Sequence, residues 1–167
     1  MKTLIAYSTL TGNTKKVCEA ASKAFNNVEL LNISEVKNLD YDLIVVGTWI
    51  DKGTADTKAK NFIESLSNKK TAFIFTLGAY PDSKHANDCI ENITNLFTKN
   101  NNEVVGHFHC QGAIDPRLIE MMKTKFSPDH PHGPNPERIK RWEDASKHPN
   151  QEDFDNAYNY FKNLLNF

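Results

Sequence analysis

The sequence predicts one α/β domain, a five-stranded parallel sheet with helices on both faces. Short β-type runs alternate five times with helical stripes, joined by short polar connections, which is the pattern of repeated βαβ units. Two of the runs, "DLIVVGT" and "TAFIFTLG", are almost continuously apolar, as strands covered on both faces must be. A length of 167 residues suits a single domain with a sizeable core. The predicted organisation is an α/β core over 1–112 and a helical tail over 113–167.

The elements follow in order. "KTLIAYS" is the first strand, and Val17, Ala20, Ala21, Ala24 and Phe25 have the spacing of an amphipathic helix. "VELLNI" is the second strand and "DLIVVGT" the third. Phe62, Ile63 and Leu66 mark a helix after "GTADTKAK". "TAFIFTLG" is the fourth strand, followed by a helical stripe from Ala86 through Cys89, Ile93 and Leu96 to Phe97. "EVVGHFHCQG" is the fifth strand. Beyond it, "IDPRLIEMMK" reads as a short helix and "FSPDHPHGPNPE", rich in Pro and His, as a loop without regular structure. A helix restarts at Pro136 or Glu137, since proline suits a first turn. Phe154, Ala157, Tyr158, Phe161, Leu164 and Leu165 form a final stripe that should pack on the sheet.

Composition excludes several classes of function. A formal net charge of −1 gives no electrostatic reason to expect nucleic acid or an anionic membrane as partner. The longest apolar runs fall far short of a membrane span. No signal-peptide core or small-residue cleavage site follows Met1, so the expected location is cytoplasmic. Cys18, Cys89 and Cys110 are odd in number and widely spaced, so reduced thiols are expected. A monomer or weak dimer is the expected assembly.

The most informative stretch is "STLTGNT", Ser8 to Thr14, between the first strand and the first helix. A helix start offers unpaired N–H groups and the positive end of a dipole. Ser8, Thr9, Thr11 and Thr14 add hydroxyls, and Gly12 permits close backbone approach. Together these make a neutral cradle for a phosphate monoester. The plain alternative is a Thr-rich turn with an N-cap. The G-x-x-x-x-G-K-[ST] and G-x-G-x-x-G fingerprints are both missing.

This stretch resembles the phosphate loop of flavodoxins, [ST]-x-T-G-x-T, which holds the FMN 5′-phosphate without a cation. Two further loops occur in the matching order, "GTWIDKGTAD" after the third strand and "LGAYPDSKHANDC" after the fourth. The resemblance implies a three-layer flavodoxin-like fold with sheet order 2-1-3-4-5 and FMN as cofactor. It also implies the site, in which Ser8, Thr9, Thr11, Gly12, Asn13 and Thr14 would hold the phosphate. Thr48 and Trp49 match a Thr-Trp pair that opens the second loop in many flavodoxins, with Trp49 stacked on one flavin face. Ile50, Asp51, Lys52 and Gly53 continue that loop. Leu77, Gly78 and Ala79 would meet the ring edge, and Tyr80 would cover the other face. Cys110, Gln111 and Gly112 lie at the ligand end of the sheet, in reach of flavin or substrate. Lys52 stands where many relatives carry Gly or acidic residues, and an ammonium aimed at the flavin N1–O2 edge would favour the reduced anion.

Two departures stand out. The chain is near neutral where flavodoxins are strongly acidic, and it continues well past the fifth strand. With "CQG", "IDPRLIEMM" and "PERIKRWEDASKHP", it is similar to flavodoxin-like proteins associated with bilirubin reductase in anaerobic Firmicutes. That implies a redox partner protein, a reductase such as bilirubin reductase.

Three functions stay open at this level: an electron carrier, an NAD(P)H-dependent FMN or quinone-type reductase with its own pocket, and a flavin-free interaction module. The sequence assigns no metal site, because nothing makes His107, His109, His130 and His132 converge. Cys110 is either a redox thiol or a small buried residue, and "RIKR" reads as a solvated helix face. The His/Pro-rich loop is expected beside the flavin edge as a docking rim, with His130 and His132 exposed.

Overall fold

A computed structural model describes residues 1–165, so Asn166 and Phe167 at the end of the predicted tail lie outside the described residues. The elements run β1 (Thr3–Tyr7), α1 (Asn13–Ser22), β2 (Val28–Asn32), β3 (Leu43–Asp51), β4 (Thr54–Ala55), α2 (Thr57–Ser65), β5 (Lys70–Leu77), α3 (Lys84–Thr98) and β6 (Glu103–Gln111). The tail adds α4 (Pro116–Lys125), α5 (Pro136–Ala145) and α6 (Gln151–Leu164).

The long strands are all parallel, in the order β2-β1-β3-β5-β6. Counting only these five gives the expected order 2-1-3-4-5. The short β4 is an addition. It pairs antiparallel with the end of β3, Ile50 opposite Ala55 and Asp51 opposite Thr54. Lys52 and Gly53 make the turn, with φ of 51° and 79°, the left-handed pair that a two-residue hairpin requires. What reads in sequence as a loop after "DLIVVGT" is therefore an extended β3 and a hairpin. α2 also starts earlier than its apolar stripe, at Thr57, because Asp56 caps it.

Side-chain alternation along the strands builds two cores. Leu4, Phe73 and Phe75 point to the face covered by α2 and α3, where they meet Ile63 and Phe97. Ile5, Ala72 and Ile74 point to the other face, where they meet Val17 of α1 and Phe161 of α6. His107 and His109, half-buried on β6, stack on Phe73 and Phe75 at centroid distances of 5.3 and 4.8 Å. Burial, then the neighbouring His109, pushes the His107 pKa down.

The last helix packs as its stripe predicts. Phe161 is fully buried and its ring lies 5.7 Å from that of Phe25. Truncating such a ring costs about 3–5 kcal/mol. Phe161→Ala should lower the unfolding free energy by that amount in one cooperative denaturation transition. A loss below about 1 kcal/mol, or a separate transition for the tail, would detach α6 from the core.

Candidate functional site

At the carboxyl ends of the strands a cavity of about 630 Å³ opens, where ligands bind in open parallel sheets. The β1–α1 loop forms its first wall. Gly12 takes φ 96° at the N-cap of α1, a conformation that strains any residue with a Cβ. Its N–H donates to Thr9 Oγ1 at 3.0 Å. Among the described residues, the N–H groups of Leu10, Thr11, Asn13 and Thr14 have no protein acceptor. The helix therefore presents free donors to the cavity with no cation in the loop.

The second wall is the end of β3, with Trp49 and Ile50 on the cavity. A buried carboxylate places it. Asp56 Oδ1 accepts from Ser8 Oγ at 2.9 Å and from the Lys58 N–H at 3.0 Å. Its Oδ2 accepts from Thr48 Oγ1 at 2.9 Å, and its own N–H donates back to Thr48 Oγ1 at 3.1 Å.

The β5–α3 connection is the third wall. Gly112 N–H donates to the Leu77 carbonyl at 2.9 Å and Gln111 Nε2 to the Gly78 carbonyl at 3.1 Å. Those bonds hold Leu77, Gly78, Ala79 and Tyr80 at the rim. A Cβ on Gly78 would lie 2.6 Å from Ile114 Cγ1, so only glycine lets the tail approach here. Tyr80 is partly exposed, and its hydroxyl donates to Asp144 Oδ2 on α5 at 2.9 Å.

The tail closes the fourth side. Asn13 Nδ2 donates to the Ala113 carbonyl at 3.0 Å, and the Ala113 N–H donates to the His148 carbonyl at 2.8 Å. Leu118 and Met122 of α4, and Arg138, Arg141 and Trp142 of α5, line the cavity. The His/Pro-rich loop is a chain of turns, with the His130 N–H on the Ser127 carbonyl and the Gly133 N–H on the His130 carbonyl. His132 is exposed and reaches the cavity. His130, expected to be exposed, is half-buried and stacked 4.2 Å from the Phe126 ring.

Residues 4–162 match the family model for the flavodoxin domain. The chain belongs to the flavodoxin domain family. It is 34% identical over 176 residues to the flavodoxin-like domain-containing protein BilS of Clostridioides difficile (strain CD3), covering 99% of this chain and 97% of that one. Flavodoxin 2 of Bacillus cereus superposes with a TM-score of 0.61 at 16% identity over 99% of both chains. A flavoprotein in complex with FMN from Lactobacillus acidophilus NCFM gives 0.54 at 19% identity, over 72% of this chain and 97% of that one.

Within this flavodoxin domain, Thr9, Thr11, Asn13, Thr14, Trp49, Ile50, Leu77, Gly78, Ala79, Tyr80 and Gly112 are brought together on the cavity. Others of the expected set stand behind it or beside it. The Ser8 hydroxyl is committed to Asp56, that of Thr48 is shared between Asp56 and the Trp49 carbonyl, and Thr14 Oγ1 pairs with Thr76 Oγ1 at 2.9 Å. Gly12 shapes the loop without lining the cavity. Asp51, Lys52 and Gly53 form the hairpin turn outside it, with Lys52 exposed. Gln111 acts through its bond to Gly78. Cys110 turns into the core beside α1 and α6, where burial pushes its thiol well above the ordinary range.

Sequence reasoning missed Asp56, Arg138, Arg141 and Trp142. An Asp directly before "TKAKNF" is a helix-start signal that identifies the cap. Arg138 and Arg141 belong to "RIKR", read as a solvated face; the i, i+3 spacing puts both on one side of α5, and that side faces the cavity.

Asp56→Ala removes a cap worth about 0.5–2 kcal/mol and leaves the buried Ser8 hydroxyl without an acceptor, at about 1–3 kcal/mol, while the Thr48 hydroxyl keeps the Trp49 carbonyl at 2.9 Å. The expected loss is about 3 kcal/mol, or a fall in Tm of about 6–12 °C. Asp56→Asn, which keeps one acceptor oxygen, should lose less. Thermal unfolding of both variants checks the order, and an unchanged Tm for Asp56→Ala would remove this carboxylate from its organising role.

Proposed function

We propose that the cavity binds FMN and that the protein carries electrons to a partner reductase. One observation carries the cofactor reading: unpaired N–H groups at the start of α1, with threonine hydroxyls and no cation, share a cavity with Trp49 and Tyr80. Neutral donors on a helix N-terminus suit a phosphate monoester, and the aromatic side chains suit a flat ring system. FMN there would supply the redox chemistry, and the protein would bind and orient it. The family membership and the FMN complex among the structural relatives support the same reading.

Electron delivery is favoured by the rim. Leu10, Tyr80 and Leu118 are 57%, 37% and 45% exposed, and all three stand at the cavity mouth. An apolar rim around a redox site suits docking of another protein. On the resemblance of the sequence, that partner is a reductase such as bilirubin reductase. The His/Pro-rich loop, with His132 on the cavity, belongs to the same rim. A second reading, an NAD(P)H-dependent reductase with its own substrate, is favoured by α4 and α5, which enclose one side of the cavity with Met122 and Trp142.

The purified protein should take up about one FMN per chain and little FAD. Trp49→Ala should weaken FMN by about tenfold or more, since aromatic stacking is worth about 1–3 kcal/mol. Thr11→Ala should weaken it similarly if its hydroxyl meets the phosphate, because a hydrogen bond to a charged group is worth about 1.5–3 kcal/mol. Fluorescence titration with FMN measures both, and a chain that does not bind added FMN overturns the cofactor reading. Steady-state NAD(P)H oxidation without a partner separates the two functions: turnover would favour the reductase, and its absence, with reduced protein still donating to a partner, the carrier.

A further inference from the structure

The tail brings two guanidinium groups to the cavity without an anion to meet them. Arg138 and Arg141 lie one turn apart on α5, and both line the cavity. Arg138 donates through Nη1 to the Gly133 carbonyl at 2.9 Å. Among the described residues, neither has a carboxylate oxygen within 4.0 Å. Arg141 is half-buried, and its Nε is closed off from solvent with no acceptor. A buried donor on a charged group has given up hydration and received nothing in exchange, a state that native structures rarely keep.

Two neighbouring acids are engaged elsewhere, and Glu137 on the same helix pairs with neither arginine. Asp144 accepts from Tyr80 and from Lys140 and pairs with Lys147. Asp115 also lines the cavity, but Arg117 grips both of its oxygens. Burial, then the charge of Arg138, pulls the Arg141 pKa down, yet a guanidinium stays protonated in proteins.

We infer that Arg138 and Arg141 form an anion subsite that takes the carboxylate of a small organic acid bound in the cavity. The inference rests on the FMN reading, which assigns the cofactor phosphate to the neutral donors of the β1–α1 loop and leaves the arginine pair to a second anion. A guanidinium fork matches a carboxylate with two parallel hydrogen bonds. The adjoining side chains of Leu118, Met122 and Trp142 give the body of such an acid an apolar wall. The subsite thus gives the cavity a ligand class of its own, an organic acid held beside α5.

Calorimetric titration of the FMN-loaded protein tests this, using benzoate, its neutral isostere benzamide, and inorganic phosphate. Benzoate should bind saturably, with benzamide at least about tenfold weaker for want of the charged bonds. Phosphate, which lacks the apolar body, should also be weaker than benzoate. Arg141→Gln and Arg138→Gln should each weaken benzoate by at least about tenfold, with FMN content and Tm kept. Arg141→Lys should recover part of the loss, and Lys125→Gln, at the exposed end of α4, should change nothing. Equal binding of benzoate and benzamide, phosphate binding as tightly as benzoate, no benzoate binding, or an unchanged benzoate affinity in Arg141→Gln would each overturn the subsite. FMN content, measured first, keeps the two readings apart. A protein without FMN fails the cofactor reading and this inference with it; one that holds FMN and ignores benzoate fails the subsite alone.

Discussion

The bonds to Asp56 tie the start of α2 to the ends of β1 and β3, two strands whose mutual register the parallel ladder sets. Ser8 follows β1, Thr48 lies near the end of β3, and Asp56 opens α2; one carboxylate accepts from all three. Burying a carboxylate costs several kcal/mol unless its oxygens are satisfied. Here the satisfaction comes from residues that also position the cavity walls. Ser8 fixes where the Thr-rich loop leaves the sheet, supported by its N–H on the Gly47 carbonyl. Thr48 sets the point from which Trp49 projects. The hydroxyls at 8 and 48 therefore serve the scaffold of the site, and the residues that follow each of them, Thr9 and Trp49, face the cavity.

The tail is tied to the site at each end of its path. Asn13, in the first turn of α1, holds Ala113 where the tail begins, and Tyr80 holds Asp144 on α5. Gly78 admits Ile114 against the β5 end. Movement of α5, or of the segment that leads into α4, then strains contacts made by the cavity residues themselves. That coupling is the structural difference between this chain and an α/β core that ends at β6: one wall of the cavity is helical, apolar and cationic.

The sequence carried the fold well because its signals are local and periodic. Continuous apolar runs mark β3 and β5, and 3.6-residue stripes mark α1, α3 and α6, where burial and period agree. It carried the hairpin at Lys52 and Gly53 poorly, because a two-residue β4 is too short to show a period. Within the site, loop residues next to strand ends were legible, since strand ends converge in any parallel sheet. Side-chain direction was not. Whether Thr48 faces the cavity or Asp56, and whether Cys110 faces flavin or core, depends on one residue of alternation and on partners distant in sequence. Arg138 and Arg141 were hidden for the same reason: a basic helix face reads as solvated until the fold supplies an opposing surface.

The distribution of charge in the cavity gives the last step. The loop with the strongest capacity for an anion has no cation, and the only guanidiniums on the cavity among the described residues lie on the tail. A full charge acts over a longer distance than the partial charge of a helix N-terminus, which falls off within about the first turn. A phosphate held by neutral donors is therefore held without raising the positive potential across the whole cavity. Cations confined to α5 act chiefly on what lies beside α5. A near-neutral chain in this way offers neutral donors on the β1–α1 loop and keeps its guanidinium charge on a separate element, α5.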